Sequence, residues 1–71
     1  MSLSMGEKIR ILLRRKKTTI ANLAEKLGTS RQNLTNKLNR DNFTEKELHE
    51  IAKALECQFE GFFIISENEK I

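Results

Sequence analysis

The chain has 71 residues, enough for one domain, with 13 basic and 10 acidic side chains and a formal net charge of +3. Its one cysteine, Cys57, excludes an intramolecular disulfide and fits a reducing, cytoplasmic location. The apolar runs are far shorter than the ~20 residues that cross a bilayer, so we expect no membrane partner. No stretch has the apolar core of a signal peptide.

The charge is distributed unevenly along the chain. Residues 1–42 carry a net +7, whereas residues 43–71 carry a net −4. A basic half is typical of proteins that have a nucleic-acid partner. An ordinary solvated surface would give the same pattern, so the charge by itself leaves both interpretations open.

The first predicted helix runs over about 5–16. Its apolar face consists of Met5, Ile9 and Leu12. Ser4 and Glu7 have the spacing of a capping box at its start, and the basic residues 14–17 complement the negative end of the helix dipole. We interpret residues 1–4 as a cloning remnant or a disordered start.

Two short predicted helices follow. The second begins after Thr19, a suitable N-cap, and ends at Gly28, because glycine readily adopts the left-handed conformation. Its apolar stripe has i, i+3, i+4, i+7 spacing and consists of Ile20, Leu23, Ala24 and Leu27. The third begins after Ser30, and its only apolar anchors are Leu34 and Leu38. A helix this polar is predicted to be partly buried at most.

The fourth predicted helix starts at Thr44, where Glu47 has the spacing of a second capping box. Its apolar stripe repeats the spacing of the second helix and consists of Leu48, Ile51, Ala52 and Leu55. The acidic residues of this helix and of the tail that follows are interpreted as a solvated face.

The tail changes character, because residues 58–66 are aromatic and β-branched and therefore favour a strand. No strand partner is evident elsewhere in the chain, so we expect this strand to pair with its own copy in a second subunit. The predicted dimer interface consists of Phe59, Gly61, Phe62, Phe63, Ile64 and Ile65. The alternative is that the aromatic residues close the core as a short fifth helix or an extended tail. Residues 67–71 are predicted to be a flexible tail.

Residues 19–38, TIANLAEKLGTSRQNLTNKL, have the organisation of a helix-turn-helix. Ala24 supplies a small residue where the two helices cross, and Gly28 tolerates the positive φ of the tight turn. The second helix keeps a polar outer face, which suits entry into the major groove of DNA.

With the helices on either side, residues 5–56 resemble the lambda-repressor-like helix-turn-helix domains, the group of phage repressors and Cro. The resemblance implies an all-α fold, a compact four-helix DNA-binding domain over residues 5–57. The strand over 58–66 would be a dimerisation segment, similar to the strand-mediated dimers of some Cro-like proteins.

Two positions depart from the pattern of that family. Lys37 stands where the family usually has an apolar residue, and Leu38 is expected to take over its packing role. Ile20 stands where many members carry a glutamine that touches a phosphate, a contact that an isoleucine cannot make.

The predicted base contacts lie on the third helix. At about 100° per residue, Leu34 and Leu38 define its buried side and Gln32, Asn36 and Asn39 lie roughly opposite. The resemblance implies that Arg31, Gln32 and Asn36 contact bases. Arginine can donate two hydrogen bonds to guanine, and glutamine or asparagine can pair with adenine. Thr35, beside them, could contact a thymine methyl group.

Phosphate contacts are predicted around that helix. Thr19 and Ser30 lie at helix N-termini, which favour anions. The loop residues Asn39, Arg40 and Asn42 are expected to follow the DNA backbone, and Lys37 to reach it from the helix flank. For each of these polar residues, simple solvation or capping is the alternative.

No combination of residues predicts chemistry. His49 has no second histidine or cysteine at ligand spacing, which argues against a metal site, and Cys57 is interpreted as a small buried residue. We therefore expect no enzyme activity, cofactor or small-molecule ligand. The predicted function is a prokaryotic or phage transcriptional regulator that binds a pseudo-palindromic DNA site as a dimer. The alternative is a protein-interaction module, an antitoxin or adaptor, that uses the C-terminal segment; RNA binding is a weaker third.

Overall fold

The computed structural model describes residues 3–61 and 63–71. In these ranges the chain forms four helices followed by a two-stranded antiparallel hairpin. The elements are α1 (Met5–Arg15), α2 (Ile20–Leu27), α3 (Arg31–Arg40), α4 (Glu45–Ala54), β1 (Ile64–Ser66) and β2 (Glu69–Lys70). The predicted four-helix class is confirmed. None of the described helices combines the length and the apolar character that a membrane span requires.

Each helix begins at the N-cap that the sequence predicts. The hydroxyl oxygens of Ser4, Thr19, Ser30 and Thr44 each accept a hydrogen bond from the backbone N–H three residues later, at 3.1–3.2 Å. The α1 and α4 caps are reciprocal capping boxes, completed by Glu7 and Glu47. Because Ser4 caps α1, it belongs to the domain and not to the leading segment to which we assigned residues 1–4.

Each helix is also followed by a residue in the left-handed conformation. Gly28 has φ 73°, which confirms the predicted end of α2. The ends of α1, α3 and α4 use Lys17, Asp41 and Glu56, with φ of 53°, 57° and 57°. Left-handed backbone is uncommon for residues with a Cβ atom, and nothing in the local sequence predicted these three.

The core lies among all four helices. It consists of Ile9, Leu13, Leu23, Ala24, Leu34, Leu38, Ile51 and Leu55. Leu23 is completely buried at its centre. The predicted stripes of α2, α3 and α4 supply most of these residues. The face predicted for α1 was partly wrong, because its buried residues are Gly6, Ile9 and Leu13, whereas Met5 and Leu12 are only partly buried.

α1 and α3 make a close backbone contact. A Cβ atom at Gly6 would collide with the backbone carbonyl oxygen of Leu38, so the two helices approach as closely as backbone allows. The Gly6 N–H donates a hydrogen bond of 2.7 Å to Oδ1 of Asp41, which ends α3. Gly6, Ile9 and Leu13 have the i, i+3, i+7 spacing of one helix face, and Leu12, which is only partly buried, also packs against the core.

The C-terminal segment differs from the prediction in two ways. The ladder begins at Ile64 and not at residue 58, and β1 pairs with β2 of the same chain, with Ile64 opposite Lys70 and Ser66 opposite Glu69. The expectation that the strand has no partner within the chain was therefore wrong. Residues 67–71, predicted as a flexible tail, contain the turn and the second strand.

Candidate nucleic-acid interface

The outer face of α3 is polar and accessible. Arg31, Gln32 and Asn36, the predicted base contacts, are all exposed. Their side chains form no hydrogen bond or ion pair with any other residue that the structure describes. Thr35 is half-buried beside them. Because Leu34 and Leu38 are buried on the opposite side, this face cannot turn away from solvent without dismantling the core.

A polar cleft of about 260 Å³ runs beside this face, towards the C-terminal end of α3. Its lining consists of Thr29, Asn33, Asn36, Lys37, Arg40 and Asn42. The fold thus brings a predicted base contact, Asn36, together with Arg40 and Asn42, two predicted phosphate contacts. Asn33 was not singled out from the sequence, although its polar side chain one turn before Asn36 and Lys37 was an available signal.

The two helix N-termini that were predicted to bind phosphate are capped by their own hydroxyl groups. Thr19 Oγ1 and Ser30 Oγ accept from Asn22 N and Asn33 N, at 3.1 Å each. The N–H groups of the first two residues of each helix have no intrahelical partner. A phosphate at these positions can receive hydrogen bonds from these N–H groups and also from the hydroxyl O–H, which remains a donor while its oxygen accepts in the cap. The side chain of Ile20 is partly buried and packs against the core, so at this position only the backbone N–H can contact a phosphate.

Two other predicted phosphate contacts have partners inside the protein. Asn39 Oδ1 accepts a hydrogen bond of 2.8 Å from Arg10 Nη2. Lys37 Nζ forms an ion pair with Glu47 Oε2, across the junction between α3 and α4. The hydrogen bond from Lys37, followed by the one from the Thr44 N–H, lowers the pKa of Glu47 from its ordinary value of 4.5. Arg40 and Asn42 are exposed.

Sequence reasoning missed Arg10 and Asp41. Arg10 lies 29 residues from Asn39 in the chain, and Asp41 lies 35 residues from Gly6. Neither contact has a local sequence signal, because each depends on how α1 packs across α3. Together they attach the N-terminal half of α1 to the end of α3, and Arg10 adds a positive charge there.

His49 and Cys57 have contacts outside this face. The ring of His49 packs edge-on against Phe59, with centroids 5.4 Å apart, and its Nε2 lies 3.5 Å from Glu45 Oε1. Cys57 is half-buried and packs against the core. Within residues 3–61 and 63–71, no three potential ligands are grouped as a metal ion requires.

The comparison with protein families agrees with this arrangement. A family model described as a Cro/C1-type helix-turn-helix DNA-binding domain matches residues 8–67. Neither the curated proteins nor the solved structures contain a significant match. The chain therefore belongs to the Cro/C1-type helix-turn-helix DNA-binding domains. This confirms the resemblance seen in the sequence. The protein is accordingly a DNA-binding regulator.

Proposed function

We propose that this protein is a sequence-specific transcriptional regulator, and that α3 is its recognition helix. The observation that carries the proposal is the exposed face of α3, on which Arg31, Gln32 and Asn36 have no partner among the described residues. Polar side chains that are free in the protein but fixed on a rigid helix are suited to pair with base edges. In the major groove each bidentate contact would contribute ~1–3 kcal/mol of discrimination between bases.

The phosphate contacts would fix the position of that helix without adding sequence information. We assign them to Arg40, Asn42 and the N–H groups at the starts of α2 and α3. Arg40 and Asn42 lie in the cleft beside Asn36. A helix seated in the groove by Asn36 would therefore bring both of them towards the DNA backbone.

We further propose that the regulator binds as a homodimer through its hairpin. Phe63, Ile64 and Ile65 are 78%, 68% and 58% exposed, and Ile71 is 71% exposed. Neighbouring strand residues point to opposite faces, so the hairpin presents apolar side chains on both. A two-stranded hairpin is marginally stable alone in water, and a second copy would cover this surface. Phe62, which we also assigned to the interface, lies outside the described residues, and Phe59 is half-buried against His49 of its own chain.

A two-fold dimer would place its recognition helices in successive major grooves, with half-sites about 34 Å apart on a pseudo-palindromic site. In this proposal the protein acts by binding and carries out no chemistry. A DNA partner and a single cysteine fit a cytoplasmic location.

Selection from a random duplex pool tests the DNA function. The wild type is compared with the triple variant Arg31→Ala, Gln32→Ala, Asn36→Ala, and with the exposed α2 variant Asn22→Ala as the matched control. We expect the wild type and the control to enrich one two-fold symmetric sequence and the triple variant to enrich none. Equal enrichment by the triple variant would show that α3 does not contact the bases.

The exposed hairpin also favours a second candidate, a protein-interaction module in which another protein covers the apolar surface. Sedimentation equilibrium of the wild type, Phe63→Asp and the exposed control Leu3→Asp separates the two. A dimer that is lost only in Phe63→Asp supports self-association. A wild type that remains monomeric and binds no DNA selectively would favour the interaction module.

A further inference from the structure

The ion pair between Lys37 and Glu47 connects the recognition helix to α4. Glu47 is held in place by its own helix, because its Oε1 accepts a hydrogen bond of 2.9 Å from the Thr44 N–H and its N–H donates to Thr44 Oγ1 at 3.1 Å. Its second oxygen, Oε2, is the partner of Lys37 Nζ. The carboxylate is therefore pre-positioned, so the Glu47 side chain loses little additional conformational freedom when it pairs with Lys37.

The rest of the Lys37 side chain is also engaged. It lines a small cleft of about 120 Å³ together with the apolar residues Leu34, Phe43 and Ile51. A lysine commonly packs its methylene groups on apolar surface while its ammonium group reaches a polar partner. The side chains of Lys37 and Glu47 are 41% and 30% exposed, and Lys37 also lines the polar cleft that contains Arg40 and Asn42.

This position matters because a lysine there could otherwise contact DNA. A free ammonium group on the flank of a recognition helix would bind phosphate regardless of base sequence. Such a contact strengthens binding to every sequence equally and so adds nothing to discrimination. Arg40, in the same cleft, has no acidic partner among the described residues and remains available for phosphate.

We propose that Glu47 is a positioning residue that sets the balance between sequence-specific and non-specific DNA binding. By holding the Lys37 ammonium group on α4, it withdraws one cation from the set that neutralises DNA phosphates and fixes the recognition helix against α4. This inference rests on the proposed DNA function of α3. It replaces the sequence-based prediction that Lys37 contacts phosphate.

The test is the salt dependence of binding to a labelled, mixed-sequence duplex of about 20 base pairs, roughly two helical turns, between about 50 and 200 mM salt. Each neutralised phosphate adds about 0.9 to the slope of log affinity against log salt concentration. We expect Lys37→Gln to leave this slope unchanged in the wild-type background. Glu47→Gln should steepen it by about 0.9, and Lys37→Gln added to Glu47→Gln should reverse that change.

The chain offers two matched controls. Glu50→Gln removes the same charge from the same helix without releasing Lys37, so it should not steepen the slope. Arg40→Gln should reduce the slope by about 0.9 in every background. Glutamine can complete a capping box as glutamate does, so Glu47→Gln is expected to keep α4 intact, which helical circular dichroism verifies.

The outcomes separate this inference from the function on which it rests. A slope that falls with Lys37→Gln alone would show that Lys37 already binds phosphate. A Glu47→Gln slope equal to that of Glu50→Gln would show that Glu47 does not keep the Lys37 ammonium group from DNA phosphates. Either result overturns the role of Glu47 while DNA binding stands. A wild type whose binding does not depend on salt would instead remove the DNA function itself.

A second measurement uses the unaltered protein. The NMR signal of the Lys37 ammonium group should follow the titration of Glu47 both in the free protein and with the same duplex bound. A signal that stops following Glu47 when DNA is added would contradict the proposal, because the ammonium group would then have exchanged its carboxylate partner for a phosphate.

Discussion

The helical part of the chain, residues 4–57, and the C-terminal segment, residues 58–71, differ in how far their apolar side chains are buried. In the helical part seven large aliphatic residues of the core are almost fully buried: Ile9, Leu13, Leu23, Leu34, Leu38, Ile51 and Leu55. In the C-terminal segment Phe63, Ile64, Ile65 and Ile71 are mostly exposed. The two parts have similarly apolar residues, so the difference in burial comes from the backbone structure of each part, helix in one and strand in the other.

A helix makes its hydrogen bonds within itself and needs neighbours only for one stripe, which three other helices can cover. A strand needs a neighbour for its backbone as well as for its side chains. The two strands of the hairpin satisfy each other along one edge, but they leave both faces accessible. The helical part therefore buries its apolar stripes within itself, whereas the hairpin leaves Phe63, Ile64, Ile65 and Ile71 exposed.

The largest expected effect comes from the centre of the helical part. Leu23→Asp would place a carboxylate where the side chain is completely buried, and we expect a loss of more than about 4 kcal/mol of unfolding free energy. Helical circular dichroism should disappear at room temperature. Ala21→Asp, on the exposed side of the same helix, should remain folded; a folded Leu23→Asp variant would contradict the assigned core.

The contact between α1 and α3 gives the next largest effect. Gly6→Ala adds a Cβ atom that would meet the Leu38 carbonyl oxygen, so we expect a destabilisation of about 1–2 kcal/mol, despite the helix preference of alanine. Denaturant unfolding measures it. In Gly61→Ala the tightest contact of the new Cβ atom is with the movable ring of Phe59, at 3.1 Å, so the stability should change by less than about 0.5 kcal/mol. A stabilised Gly6→Ala variant would show that the helices are further apart.

Acid should weaken the junction between α3 and α4 by a smaller amount. The pKa of Glu47 is lowered in the folded protein, mainly by its hydrogen bond from Lys37. Its contribution is therefore fully present above its ordinary pKa of 4.5 and is lost as the pH falls below that value. For a partly exposed pair we expect less than about 1 kcal/mol.

Thermal unfolding of the wild type and of Glu47→Gln measures this contribution. A practical range is roughly two pH units around the glutamate pKa, from about pH 6 to about pH 3. The difference in stability between the two proteins should shrink as the pH falls. A difference that stays constant across this range would show that the Glu47 carboxylate contributes nothing through its charge.

The smallest expected effect lies in the hairpin. In dilute solution Phe63→Asp should change the unfolding free energy of the helical part by less than about 0.5 kcal/mol, because the side chain is 78% exposed. At high protein concentration the wild type should become more stable than the variant, since association stabilises the folded form by mass action. A variant that is equally destabilised at every concentration would show that the hairpin supports the helices of its own chain.

Much of the fold could be predicted because its signals are local. Ser4, Thr19, Ser30 and Thr44 cap helices through atoms only three residues away, and Gly28 ends α2 by its own backbone freedom. The polar face of α3 was likewise predictable from periodicity. Those features follow from neighbouring residues and hardly depend on the rest of the molecule.

The remaining features depend on residues that are distant in sequence. The close approach of Gly6 to the backbone of Leu38 joins two helices that α2 separates in the chain. The β1 strand pairs with residues 69–70. These residues are too few and too polar to be recognised as a strand from the sequence.

The sequence by itself determined where the helices begin and which face of α3 stays polar, because capping and periodicity act over a few residues. The tertiary structure decided which of the polar side chains around α3 remain free. Arg31, Gln32 and Asn36 face solvent, whereas Asn39 is bonded to Arg10 and Lys37 to Glu47. The difference arises because hydrogen bonds and ion pairs form between atoms that the tertiary structure brings together, and it brings Arg10 of α1 to Asn39 and Glu47 of α4 to Lys37.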